Sequence, residues 1–275
     1  MLKHSRPGCA AQQVQAVKWF TFFIVPSIKA ASVGFVAHQN IYADDKCEAG
    51  FGGCDANIRG RWIIDSAAVR INNTEPGTGG TTVHAGGNVT YNSDSNLQTL
   101  PGTPPAASLM PSDNNLANQS GDSFFESFFG MSKEAMKSVA NEVITCSGEC
   151  NDTVNGKQGQ VIWVEAGNQA FVLNGNTVVG SAMAPVVLII NGPVELRGTV
   201  SITGVVYTTA DWANGGGGTA TIRGVAISEG SFSSTGTPSP TYDSSVLQQL
   251  RRNVGTFLPV AGSWCDHCDW SSEFQ

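Results

Sequence analysis

The chain has 275 residues, enough for one large domain or two small ones and for a substantial buried core. Its net charge of -7 and pI near 5.0 exclude the basic stripe that a nucleic-acid binder needs, and imply no cationic surface for anionic lipid. A charged fraction of 13%, about half the ~25% of an average soluble domain, with 32 glycines and a mean hydropathy of -0.06, excludes wholesale disorder and a polytopic membrane protein and suits an exported, β-rich chain.

Residues 1–45 form a candidate signal or membrane segment. Its apolar core, "WFTFFIVPSI", follows Lys3, Arg6 and Lys18. A spanning helix wants about 20 apolar residues, and Pro26 and Lys29 interrupt this one, so a signal-peptide core fits better than a membrane anchor. The alternative is a buried amphipathic segment. Export to a pilus, the periplasm or the cell surface is the expected destination. Residues 46–120 read as an irregular, turn-rich region with a linker, because "EPGTGGTT", "AGGNVTYNSDSN" and "PGTPPAASLMPSDNN" are clusters of turn formers. One short strand is predicted around 61–69.

Apart from Cys9, the cysteines fall into three close pairs: Cys47 with Cys54, Cys146 with Cys150, and Cys265 with Cys268. In an oxidising compartment these read as local disulfides, although six cysteines allow 15 connectivities. The competing readings are free thiols, or a zinc ion held by Cys146, Cys150, Cys265 and Cys268, whose spacings lie near those of four-cysteine structural sites. Cys265 and Cys268 also form a CxxC pair, without the βαβ context of a redox motif.

Residues 121–270 read as one domain of helices and strands. Ser123 and Glu126 have capping-box spacing before a helix stopped by Gly130. A second helix is predicted after Ser132, with Met136, Val139, Ala140 and Val143 on one apolar stripe. Beyond residue 160, runs such as "QVIWVEA", "PVVLIING", "TVSITGVVYTT" and "TATIRGVAIS" alternate with glycine turns every ~8–12 residues, the spacing of a sandwich, a barrel or a β-helix. The last two runs share the shape of a solenoid coil, and Gly204, between Ile202 and Val205, predicts a bulge or corner. Asp243 is placed to cap a final helix that turns Val246, Leu247 and Leu250 inward. The expected class is mainly β with a few helices (α+β). Its C-terminal region is solenoid-like or a sandwich, and its helices lie near 123–145 and 243–253.

Four pieces stand in a telling order: "FFGMSKEAMKSVANEVI", "PVVLIINGPVELRGTVSITGVVYTT", "ATIRGVAISEGSF" and "YDSSVLQQL…GTFLPVAGSWCD". Together they resemble the C-terminal region of PilX-type pilus-assembly proteins, accessory minor pilins of type IV pili, over roughly residues 124–266. The matching positions are Gly204, Tyr207, Gly224, Glu229, Gly230, Tyr242, Asp243, Gly262, Ser263, Trp264 and Asp266. The sequence differs from that pattern at Ala261 and Cys265, and Gln39 stands where such pilins carry Glu. The resemblance implies binding to other minor pilins or a pilus-tip adhesin, in support of assembly, adhesion and twitching motility. Gly204 and Gly224 are expected to be structural, and Trp264 is expected to anchor the tail.

An enzyme would need more than this chain offers. The acids of the strand-rich region are Glu165, Glu195, Asp211, Glu229 and Asp243, and no two have same-face spacing on one strand, as a solenoid hydrolase would require. There is no G-x-S-x-G elbow, and His4, His38, His84 and His267 share no recognisable spacing. Trp163, Tyr207, Trp212 and Trp264 are read as packing residues before sugar platforms. The expectation is a non-enzymatic protein without a cofactor. The competing reading is a secreted β-solenoid adhesin or carbohydrate-binding module.

Overall fold

The computed structural model describes residues 56–58, 62–64, 71–72, 81–91, 94, 97–215, 219–234 and 239–254. The N-terminal segment of residues 1–45, together with Cys9, Cys47, Cys54, Trp264, Cys265 and Cys268, lies outside them.

Every strand pairing among the described residues is parallel, and the chain winds as a β-solenoid whose coils present up to three short strands each. The first coil starts at β8 (Glu142–Thr145) and β9 (Gly148–Glu149). The next holds β10 (Val161–Glu165), β11 (Phe171–Leu173) and β12 (Thr177–Val179), followed by β13 (Val186–Asn191) and β14 (Val194–Leu196). Two nine-residue strands, β15 (Val200–Thr208) and β17 (Ala220–Ser228), then straddle a corner, with β16 (Trp212–Asn214) between them. β18 (Phe232–Ser234) and β19 (Ser239–Thr241) complete the run. The strands thus fall on three faces. The first face carries β8, β10, β13 and the second halves of β15 and β17, and the second carries β9, β11, β14, β16 and β18. The third carries β12, the first halves of β15 and β17, and β19.

The coil length is uneven: Val161 pairs with Val187, Val187 with Val205 and Val205 with Val225, advances of 26, 18 and 20 residues. Inward positions alternate with outward ones, so Ile162, Val164, Leu188, Ile190, Phe171, Leu173, Val194, Leu196, Ile202, Ile222 and Phe232 fill a continuous core. Asparagine supports one corner, where Asn151 and Asn174 bond side chain to side chain and Asn174 N–H donates to Asn151 Oδ1 at 2.7 Å.

The stretch before residue 120, irregular in its turn formers, supplies further coils. β1 (Ala56–Ile58), β2 (Trp62–Ile64) and β3 (Ile71–Asn72) pair with β17, β18 and β19. β4 (Val83–Ala85), β5 (Val89–Thr90) and β6 (Leu97–Gln98) stack on those, and β7 (Leu109–Met110) ends the first face. Only β2 matches a strand anticipated from sequence. Spatial order therefore differs from chain order, since the early coils sit on the late ones. The segment expected to be a linker holds a 3-10 turn, Pro105–Ser108, and the helical turn α1 (Asn114–Ala117), capped by Asp113.

From there the chain returns through α2 (Gly121–Phe129) and α3 (Lys133–Val139). Ser120 caps α2, three residues before the expected cap at Ser123: its Oγ accepts the Ser123 N–H at 3.1 Å. Gly130 stops the helix at φ 67°, and Ser132 caps α3. The predicted stripe to Val143 is cut short. α3 ends at Val139, the Asn141 side chain accepts the Val161 N–H, and the β-branched run from Val143 takes the edge strand β8. Val143 is consequently 48% exposed instead of packed.

The outward side of the first face is apolar too. Val161, Trp163, Val187, Ile189, Val205, Tyr207, Val225 and Ile227 form a second core with Phe124, Phe125, Phe128, Phe129 and Met136 of the helices. Phe125 and Tyr207 meet edge to face with centroids 5.0 Å apart. After the helical turn α4 (Asn151–Val154) between β9 and β10, the last helix, α5 (Ser244–Asn253), capped by Asp243, adds Leu247 and Leu250 to the same core. No helix among the described residues is long and apolar enough to cross a membrane.

Candidate interaction surface

The described residues that carry the resemblance lie at or near the two edges of the first face of the solenoid. Gly204 and Gly224 pair with each other where β15 and β17 turn from the third face to the first, at φ 147° and 134°. A Cβ on Gly230 would strike Asp211 and the Ala210 carbonyl carbon. Glu229, 5% exposed, accepts the Tyr207 hydroxyl at 2.8 Å and the Lys133 ammonium at 2.8 Å; Lys133 also reaches Asp122 at 3.0 Å. Burial pushes the Lys133 ammonium down, but the bonds to Glu229 and Asp122 outweigh it and hold its pKa above the usual lysine value. Tyr242 is buried beside α5, and Asp243 accepts the Ser245 and Val246 amides while pairing with Arg223. A Cβ on Gly204 or Gly224 would strike the backbone of the neighbouring coil, and Tyr207, Glu229 and Asp243 are all engaged in contacts within the fold.

The remaining acids are engaged as well. Glu165 accepts Trp163 Nε1 at 2.7 Å, Asn191 Nδ2 at 2.8 Å and Lys137 Nζ at 2.7 Å, joining α3 to two coils. Glu195 forks onto Arg197, and Asp211 accepts the Ser231 amide at 2.8 Å. All five acids of the strand-rich region are therefore occupied by fold-holding contacts, and none is paired with another. Trp163, Tyr207 and Trp212 are buried, so none of the three offers a ring face to a sugar.

His84 on β4, absent from any motif, is a partner the sequence left hidden: its Nε2 lies 2.7 Å from Asp113 Oδ2 and ties the last coils to α1. The signal that could have found it is Asp113 in helix-capping position beside a strand, but a sequence separation of 29 hides the contact.

Cys146, just after β8, and Cys150, just after β9, are joined with Cα atoms 6.0 Å apart, closing a loop that contains β9. Both sulfurs are then unavailable to zinc, and among the described residues no group of three His, Cys, Asp or Glu side chains could hold a metal ion. The ring is short, so the expected stabilisation is about 2 kcal/mol. The Cys146→Ser/Cys150→Ser variant is expected to lose that amount in urea unfolding at unchanged slope. Equal midpoints would dismiss a stabilising bond.

With the first face covered by helices, the second and third are the surfaces presented outward. In register across adjacent coils, the second shows Glu149, Glu195, Ala213 and Ser233, while Val172 between the first two is buried. The third shows Val178, Ser201, Thr221 and Ser239 in one row and Thr203, Arg223 and Thr241 in the next. Coils about 4.8 Å apart make these small side chains a flat, regularly spaced array.

Compared with known proteins, the chain matches no family model, no curated protein and no solved structure.

Acid sensitivity follows from three carboxylates. Burial pushes Asp113, Glu165 and Asp243 up, but hydrogen bonds, first from His84, Lys137 and Ser245 respectively, outweigh it and hold each pKa below the ordinary value. A folded-state pKa that is depressed gives stability present above the unfolded pKa, near 4, and lost as pH falls through the folded one. Thermal melts should therefore be flat from about pH 7 to 5 and decline below about pH 4. A melting temperature that rises on acidification through that window would contradict the three pairings.

Proposed function

We propose that this chain is a non-enzymatic binding component exported to the cell surface, an accessory, minor pilin-like part of a type IV pilus. Its work is contact with other minor pilins or a tip adhesin, in support of pilus assembly and hence adhesion or twitching motility. The observation that carries the reading is the use of the shared motif. Gly204 and Gly224 form the corner where the chain enters the first face, next to the Arg223–Asp243 pair at the start of α5, while Tyr207 and Glu229 meet Lys133 of α3 toward the other edge, so the residues that carry the resemblance fasten helices to both edges of that face. The occupied acids and buried aromatics support surface complementarity over chemistry, with no cofactor. The Cys146–Cys150 bond supports an oxidising destination.

The solenoid itself favours a second reading, a secreted adhesin or carbohydrate-binding module working through the flat outer faces. Fractionation of cells carrying the tagged protein separates the two. Recovery in sheared pili, or cross-linked to minor pilins, is expected. Recovery only as free protein in the medium would sink the pilin reading and promote the adhesin. Mass spectrometry of unreduced peptides from the exported protein should find Cys146 joined to Cys150, and at least one further pair oxidised.

A further inference from the structure

Among the described residues, the buried polar side chains Thr177, Thr208 and Ser228 of the solenoid are all hydrogen-bonded, but two on the second face are not. Asn214 of β16 and Ser234 of β18 are register partners on adjacent coils, 3% and 1% exposed, and both side chains point inward with Trp212 and Phe232. Leu196 precedes Asn214 in the same inward column, and Ile64 is the next register partner beyond Ser234. The amide orientation of Asn214 is fixed by chemistry: Trp212 Nε1–H, a donor only, lies 3.1 Å from Asn214 Oδ1, so the oxygen faces Trp212 and Nδ2 faces away. Neither Asn214 Nδ2 nor Ser234 Oγ has a hydrogen-bond partner among the described residues. Leaving two such groups bare in a core costs about 1–3 kcal/mol each, and native interiors satisfy nearly all of theirs.

We propose that Asn214 Nδ2 and Ser234 Oγ hold one buried water molecule inside the solenoid. The chemistry selects water over an ion. The amide nitrogen can only donate, which rules out a cation, and no Lys or Arg is buried among the described residues to compensate an anion. Coils about 4.8 Å apart suit a bridge of two hydrogen bonds of about 2.8 Å each, better than direct contact between the short serine and the amide. Water accepts from Nδ2, and the serine hydroxyl donates or accepts as the water requires. The bridge would link neighbouring coils directly, where the covalent path from Asn214 to Ser234 runs the whole length of β17.

The test is a crystal structure of the full chain at a resolution that shows ordered solvent, with water–amide cross-relaxation NMR at the Asn214 side-chain NH₂. Density within hydrogen-bond distance of both atoms, and a cross-peak to a long-lived water, are expected. Ser234→Ala should abolish the cross-peak, while Ser233→Ala, one residue along and exposed, should leave it intact. A direct Asn214–Ser234 hydrogen bond, or a dry gap without density, would overturn the proposal in the unaltered protein even if the alanine variant failed to fold.

Discussion

Gly204→Ala is expected to be among the most damaging single substitutions in the chain, costing at least about 3 kcal/mol and about 10 °C in melting temperature. β15 and β17 each serve two faces because the backbone turns at Gly204 and Gly224 without leaving the sheet, and all nine residues of one strand stay paired with the other. The φ of 147° at Gly204 is one that side chains rarely adopt, and a Cβ there would fall on the Val186 carbonyl of the preceding coil. That neighbour is backbone, the first residue of β13 and the register partner of Gly204 itself, and cannot step aside without parting two coils. Gly156→Ala provides the comparison. It has a φ of 78° but open space around the added carbon, so the loss there should be about 1 kcal/mol, from backbone conformation alone. Thermal unfolding followed by circular dichroism checks both; similar losses at the two sites would mean that crowding at the corner contributes nothing.

That corner was partly legible. Val200 and Ile202 before Gly204, and Val205 after it, break the alternation of a strand, and only a bulge or a bend reconciles them. Helix boundaries were legible where a cap residue and a glycine bracket the element, as with Asp243 and with Gly130, because capping is local chemistry. The sandwich alternative could not be dismissed from the sequence, since coil advances of 26, 18 and 20 residues erase the period that announces a solenoid. The early coils were hidden for a related reason. Strands of two or three residues among turn formers carry too little pattern, and they form because β17, β18 and β19 present a ready edge. Val143 misled because an apolar residue four places after Val139 satisfies helical spacing, while Asn141 had already ended the helix by bonding to the next coil. Glu229 stood out through resemblance alone. That its carboxylate meets Lys133, nearly a hundred residues earlier, is a fact of the fold that no local pattern carries.

Lys133→Met should expose what that contact does. Glu229 is almost fully buried where the helices meet the far edge of the first face, just past β17, flanked by Tyr207 and so close to Gly121 at the start of α2 that any side chain there would strike it. Its charge is tolerated because the Lys133 ammonium, itself mostly buried, lies 2.8 Å away. Removing the lysine leaves the carboxylate with a phenol and a helix N-terminus as its remaining support, and stranding a buried charge in this way costs about 3 kcal/mol. The Lys133→Met/Glu229→Gln double variant removes the charge as well as its partner, and the amide oxygen can still accept the Tyr207 hydroxyl. It should therefore lose less than the two single losses added together, by 1 kcal/mol or more. Denaturant unfolding of the four proteins yields that coupling directly. An additive result, or a Lys133→Met variant as stable as the parent, would mean that the aromatic packing of Phe124, Phe125, Phe128 and Phe129 seats the helices by itself. The ion pair would then select only the orientation of α2 and α3 on the first face.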